Sequence, residues 1–162
     1  LILIYMIEQL QDYLTFKNIY LYTNFLVIPF WLMIILIPTS RITKILVNSI
    51  ILPLIFSTTY IFIIYKMIIL DESLMQIFQL YLNLDNLYIL FSTEGFLLVF
   101  WLHFISINLF LGSWISSDGV KYSMPRSLVG VSLIFVYYMG PVGLVLHWFL
   151  RIFYAKKINL YD

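Results

Sequence analysis

Gly95–Ser117 reads GFLLVFWLHFISINLFLGSWISS, and no Asp, Glu, Lys or Arg interrupts it. Three further runs share that property: Asn18–Ser40, Ile45–Tyr65 and Ser127–Leu150. As helices rising ~1.5 Å per residue, each would extend about 31–36 Å, against a hydrocarbon core of about 30 Å. Lipid offers the backbone no hydrogen-bond partner, so apolar segments of this length are expected to be helical. The sequence therefore predicts an all-α polytopic membrane protein. It has four transmembrane helices in a single domain over residues 1–162, with one or two interfacial helices beside them.

Composition leads the same way. The 162 residues are 63% hydrophobic and 10% charged, too little polar surface to clothe a soluble core. A net charge of +1 provides no basic field for phosphates, which excludes nucleic acid as a partner. With no cysteine there is no disulfide framework, thiolate metal site or iron–sulfur cluster. Membrane lipids, and other membrane subunits of a larger complex, are the partners to expect. No basic n-region or small-residue cleavage site precedes the first run, so no signal peptide is expected. The chain begins at Leu1 and is rich in Ile, Leu, Phe and Tyr, a bias that suggests organellar encoding. The mitochondrial inner membrane is the expected location, with a plastid or bacterial membrane as the alternative.

Between the spans the pattern changes. Leu1–Lys17 scatters Glu8, Gln9, Gln11 and Asp12 among Ile4, Met6, Ile7, Leu10 and Leu14, as an interfacial helix would. Ser73–Thr93 mixes apolar residues with Gln76, Gln79, Asn83, Asp85 and Asn86. Its uncharged part is too short to cross, so an interfacial or re-entrant helix is expected. Ser92-Thr93-Glu94 offers a cap and an acid to the third span, and Ser116–Arg126 reads as a short polar turn into the fourth. Four crossings put Lys17, Lys66, Arg151, Lys156 and Lys157 on one face and Arg41, Lys44, Lys121 and Arg126 on the other. Five against four gives no orientation.

Few polar groups fall inside the spans. His103 lies about 12 Å into the third, and Asn108 is on the same helix. In the fourth, Gly140-Pro141-Val142-Gly143 forms a helix break, where Pro141 leaves the carbonyl of Tyr137 without its donor. A histidine at such depth faces a partner or a cavity. Its imidazole either donates to a freed carbonyl or lines a pocket for a polar or conjugated ligand. His103 with His147 could also hold a haem, although their depths differ by about 6 Å. Two histidines without a clear carboxylate leave a catalytic metal short of ligands, so no metal is expected. Trp101, Trp114 and Tyr137 read as packing or interface anchors that could also line a groove for an isoprenoid chain.

Along the last two spans the residues run Trp101-x-His103, Leu109-Phe110-x-Gly112-x-Trp114-Ile115, Asp118, Pro125 and Gly140-Pro141-x-Gly143. That order resembles the neoxanthin-synthase-like family of small four-span membrane proteins. Pro29-x-Trp31-Leu32 and Pro38 extend it, so that it covers about Asn24 to Arg151. The resemblance implies a four-helix membrane fold with carotenoid or isoprenoid binding or isomerisation, His103, Asn108, Trp101, Trp114, Tyr137 and Pro141 being the candidate contacts. Two positions depart from the family pattern, which has Asp at Asn108 and Arg at Ser113. Losing both charges together leaves no unpaired ion in lipid. That double loss suggests a non-catalytic accessory subunit of an organellar, respiratory assembly. The alternative is a membrane enzyme that binds or isomerises a carotenoid-like lipid.

Overall fold

The computed structural model of the protein describes residues 13–49, 51–69 and 83–156. All regular structure among them is helical: α1 (Phe16–Leu36), α2 (Arg41–Leu46), α3 (Ile51–Ile69), α4 (Leu84–Phe91), α5 (Glu94–Lys121) and α6 (Arg126–Ala155). Three of these, α1, α5 and α6, are long and apolar enough to cross a membrane, and the apolar part of α3 is shorter. Most of the expected interfacial segment Leu1–Lys17, and the first part of Ser73–Thr93, lie outside the described residues.

Contacts divide the chain into two units. The first comprises Leu1–Leu26 and Ser57–His103. Here α4 starts on Asn83, whose side chain accepts from the Asn86 N–H at 2.8 Å, and leaves Leu84, Tyr88 and Ile89 exposed, as an interfacial helix would. Ser92 and Thr93 do not cap α5 as the sequence suggests. Their hydroxyls donate back to the carbonyls of Tyr88 (2.9 Å) and Leu90 (2.8 Å), closing the end of α4 instead. Lys66 lies over the Phe16 ring at 5.1 Å and donates to the carbonyl of Leu14 at 2.7 Å.

The second unit comprises Val27–Phe56 and Phe104–Asp162. Ser40 caps α2, accepting from Ile42 N–H at 3.2 Å, and the Thr43 hydroxyl donates to the carbonyl of Ile37 at 2.8 Å. The uncharged run from Ile45 does not form one helix. Ser49 donates to the carbonyl of Ile45 and accepts from the N–H of Ile51 at 3.2 Å, so it ends one helix and starts the next. Asn48 spends its amide on α5, bonded to Ser113 (2.6 Å) and Ser117 (3.3 Å). Trp31, 4% exposed, packs edge-on to Tyr137 at 5.4 Å and against Gly112, where a Cβ would lie 2.7 Å from its ring. The absence of a side chain at Gly112 admits the indole.

α6 departs most from expectation. Met139 has φ −144° and ψ 54°, outside the helical region, two residues before Pro141. In a straight helix Ser132 and Gly143 would stand about 16 Å apart along the axis. Here a Cβ on Gly143 would meet the backbone N of Val136 and come within 2.7 Å of the carbonyl oxygen of Ser132. The two arms of α6 are therefore folded against each other. Both lie along α5: Val129 on the outgoing arm touches Gly119, Gly140 at the bend touches Asn108, and His147 and Arg151 on the returning arm reach Asp118. The run Ser127–Leu150, expected to cross in one piece, is a helical hairpin. Its arms rise only about 19 and 24 Å. Pro141 breaks the backbone ladder, glycine at 143 lets the arms close, and glycine at 140 lets the bend meet Asn108 on α5.

This geometry gives a paired expectation. Gly143→Ala should destabilise by about 1–3 kcal/mol, because the new methyl has backbone rather than a movable side chain in its way. Gly130→Ala has only Ile35 at 4.0 Å and should be neutral or slightly stabilising through helix propensity. Thermal unfolding of the two variants in mild detergent checks the contrast, and equal midpoints would sink it.

Candidate active site

The buried polar chemistry of the second unit gathers where α5 meets the returning arm of α6. Asp118 stands three residues before the end of α5, inside the helix and not in the polar turn expected there. It is 7% exposed, and a carboxylate so enclosed needs partners. It has two. His147 Nε2 lies 3.0 Å from Oδ2, and Arg151 Nε donates to Oδ2 at 3.0 Å and to Oδ1 at 3.2 Å. One helical turn separates His147 from Arg151, so one face of the arm presents both.

Arg151 is 1% exposed and His147 fully enclosed. The guanidinium lies 4.8 Å from the Tyr122 ring centroid and donates to its hydroxyl at 3.2 Å. Trp114, one turn before Asp118 on α5, sets its ring edge-on to His147 at 5.8 Å. Charge balances locally, since the Asp118 carboxylate is matched by the Arg151 cation. With Nε2–H donating to Asp118, a neutral His147 carries its lone pair on Nδ1. That nitrogen is buried and has no hydrogen-bond partner among the described residues. Its lone pair is free to take a proton or hold a ligand.

The residues singled out from sequence fare unevenly. His103 is exposed, not aimed into a buried pocket, and makes no hydrogen bond among the described residues. Trp101 belongs to the first unit, donating to Asn24 at 3.2 Å and packing on Tyr20 at 5.8 Å. It lines an apolar groove of about 410 Å³ with Phe16, Tyr20, Leu97 and Leu98, and the exposed pair Lys17–Glu94 (4.0 Å) stands at its rim. Asn108 is buried at the α6 bend against Gly140, its amide nitrogen without a partner. Ser113 bonds Asn48 instead, so the two positions that depart from the family pattern serve different neighbours. Tyr137 packs on Trp31, Trp114 packs on His147, and Pro141 is exposed at the bend. Of the four candidates in the second unit, Trp114 is the one seen to pack on the cluster, through His147. Asp118, Tyr122 and Arg151 were missed as site residues, and His147 was weighed only as a haem ligand. The signal available was a lone acid ending one apolar run and a His-x-x-x-Arg pair ending the next.

Membrane-length apolar helices around a buried carboxylate–imidazole–guanidinium cluster define a helical membrane protein with a polar site inside its apolar body. The chain belongs to the ABA4-like family: the family's model, described as ABA DEFICIENT 4-like, matches residues 18–147. The match takes in Asp118 and His147, while Arg151 lies just beyond it. No curated protein and no solved structure matches the chain. The family is associated with neoxanthin synthesis and is plastid-related, which favours the carotenoid alternative. A mitochondrial respiratory subunit finds no support.

Proposed function

We propose that this protein binds a carotenoid or related isoprenoid in a plastid-type membrane and isomerises it by moving a proton. Nδ1 of His147 exchanges the proton, Asp118 holds the imidazole tautomer, and Arg151 holds Asp118. The observation that carries the reading is the buried, unpartnered Nδ1 backed by a charge-balanced carboxylate, in a member of a carotenoid-associated family. An isomerisation changes no oxidation state, so a group that accepts and returns one proton is chemically sufficient. In this reading α1, α3 and α5 cross the membrane, while α6 enters and returns.

A second reading is favoured by the complete burial of His147. In it the cluster is a clamp that pins the returning arm of α6 to α5 and moves no proton. The test is to express the full chain in membranes of a host that accumulates epoxidised carotenoids and to separate the pigments by chromatography. Appearance of a new isomer of equal mass is the expected result. Bound but unchanged pigment would leave a binding protein and overturn the catalytic reading, and neither binding nor conversion would overturn the binding as well and leave the clamp.

A further inference from the structure

We infer that the second unit carries a binding site for one anionic phospholipid, in a cleft whose lining includes none of Asp118, His147 or Arg151. The cleft encloses about 210 Å³ between the end of α1, the end of α5 and the start of α6. Its lining is graded. Thr39, Ser123 and the exposed Arg126 stand where the helices end or begin, and Ser116 lies just inside. Ile35 and Leu133 continue the walls away from them, Leu133 about 10 Å along α6 from Arg126. A cation with hydroxyls at one end and aliphatic walls behind is the profile of a phospholipid, phosphate first and chains following. The hydroxyls of Thr39 and Ser123 make no hydrogen bond among the described residues, so both are available as donors. Ser116 donates to the carbonyl of Ile34 at 3.2 Å, which leaves its oxygen free to accept from a glycerol hydroxyl.

Charge decides the headgroup. Among the described residues of this unit the exposed ionised side chains are all basic: Arg41, Lys44, Lys121, Arg126 and Lys156. The one acid among those described residues, Asp118, is buried and committed to Arg151 and His147. A zwitterionic lipid would bring an ammonium for which the described residues offer no exposed carboxylate. A phosphatidylglycerol-type headgroup brings a single negative phosphodiester and hydroxyls, matching the groups present. Arg126 has no carboxylate partner among the described residues and stands in the cleft, which makes it the phosphate contact.

Native mass spectrometry of the full chain, released from bilayers of equal phosphatidylglycerol and phosphatidylcholine, tests the site without reference to carotenoid conversion. The wild-type protein should retain phosphatidylglycerol about tenfold over phosphatidylcholine. Arg126→Gln should lower that preference about fivefold, while Lys156→Gln, outside the cleft, should leave it unchanged. Size-exclusion profiles establish that both variants are folded, since both side chains are exposed. Equal retention of the two lipids overturns the proposal. Equal losses in both variants also overturn it, because they would show a diffuse attraction to the leaflet. Displacement of the lipid by glycerol phosphate at millimolar concentration would assign recognition to the headgroup alone and overturn the role of the aliphatic walls.

Discussion

Replacing Asp118 by alanine is expected to destabilise the protein by about 3–5 kcal/mol, enough to abolish a monodisperse, folded species in mild detergent. The carboxylate is a counter-ion of Arg151, which is 1% exposed, and without it the guanidinium loses that partner while staying enclosed beside the Tyr122 ring and hydroxyl. His147 Nε2 loses its acceptor at the same time. The expectation separates from a generic core defect through a double variant. Adding Arg151→Met removes the stranded charge and fills similar volume, so Asp118→Ala/Arg151→Met should recover a large part of the loss. Thermal unfolding of both, followed by size exclusion, decides it. A double variant no better than the single one would mean that the pair contributes shape and not charge balance.

The second large effect concerns chemistry. Glutamine at position 147 offers an amide that can still donate towards Asp118, but it has no counterpart of Nδ1 and cannot exchange a proton. His147→Gln should therefore fold and bind pigment, yet convert it about 10²–10⁴-fold more slowly. His103→Ala should convert normally, since His103 is exposed and makes no hydrogen bond among the described residues. Pigment analysis of membranes carrying each variant makes the measurement. Full conversion by His147→Gln would leave the clamp reading standing, and loss of conversion by His103→Ala alone would return attention to the exposed face of α5.

Those two histidines show what sequence could and could not reveal. Charge-free runs of membrane length predicted helices, and helices formed, because a 3.6-residue ladder is local and needs no distant partner. Depth along a helix was equally legible. Facing was not, since nothing in Trp101-x-His103 states which side of α5 meets protein. Asp118 was quoted among the family-like residues but read as part of a polar turn. An acid inside a helix became tolerable only because Arg151 arrives from the far arm of α6, an event of tertiary structure. Gly140-Pro141-Val142-Gly143 was legible as a break; that the break reverses the chain depends on how the arms pack. Asn48 and Ser49 carried a local signal, small polar residues able to bond back to the preceding turn, yet an uninterrupted uncharged run concealed it.

The bend at Met139 also sets a parity. A helix that crosses transfers the chain from one face to the other, whereas a hairpin gives it back. Counting the last run as a crossing placed Arg151 and Lys156 opposite Lys121 and Arg126, and the basic residues balanced. In the proposed reading, where α5 crosses and α6 returns, these four would stand on one side, and the balance would become a bias of the kind that orients membrane proteins during insertion. The compartment holding the turn after Lys121 would then be the one from which the chain was threaded, with Lys156 beside it.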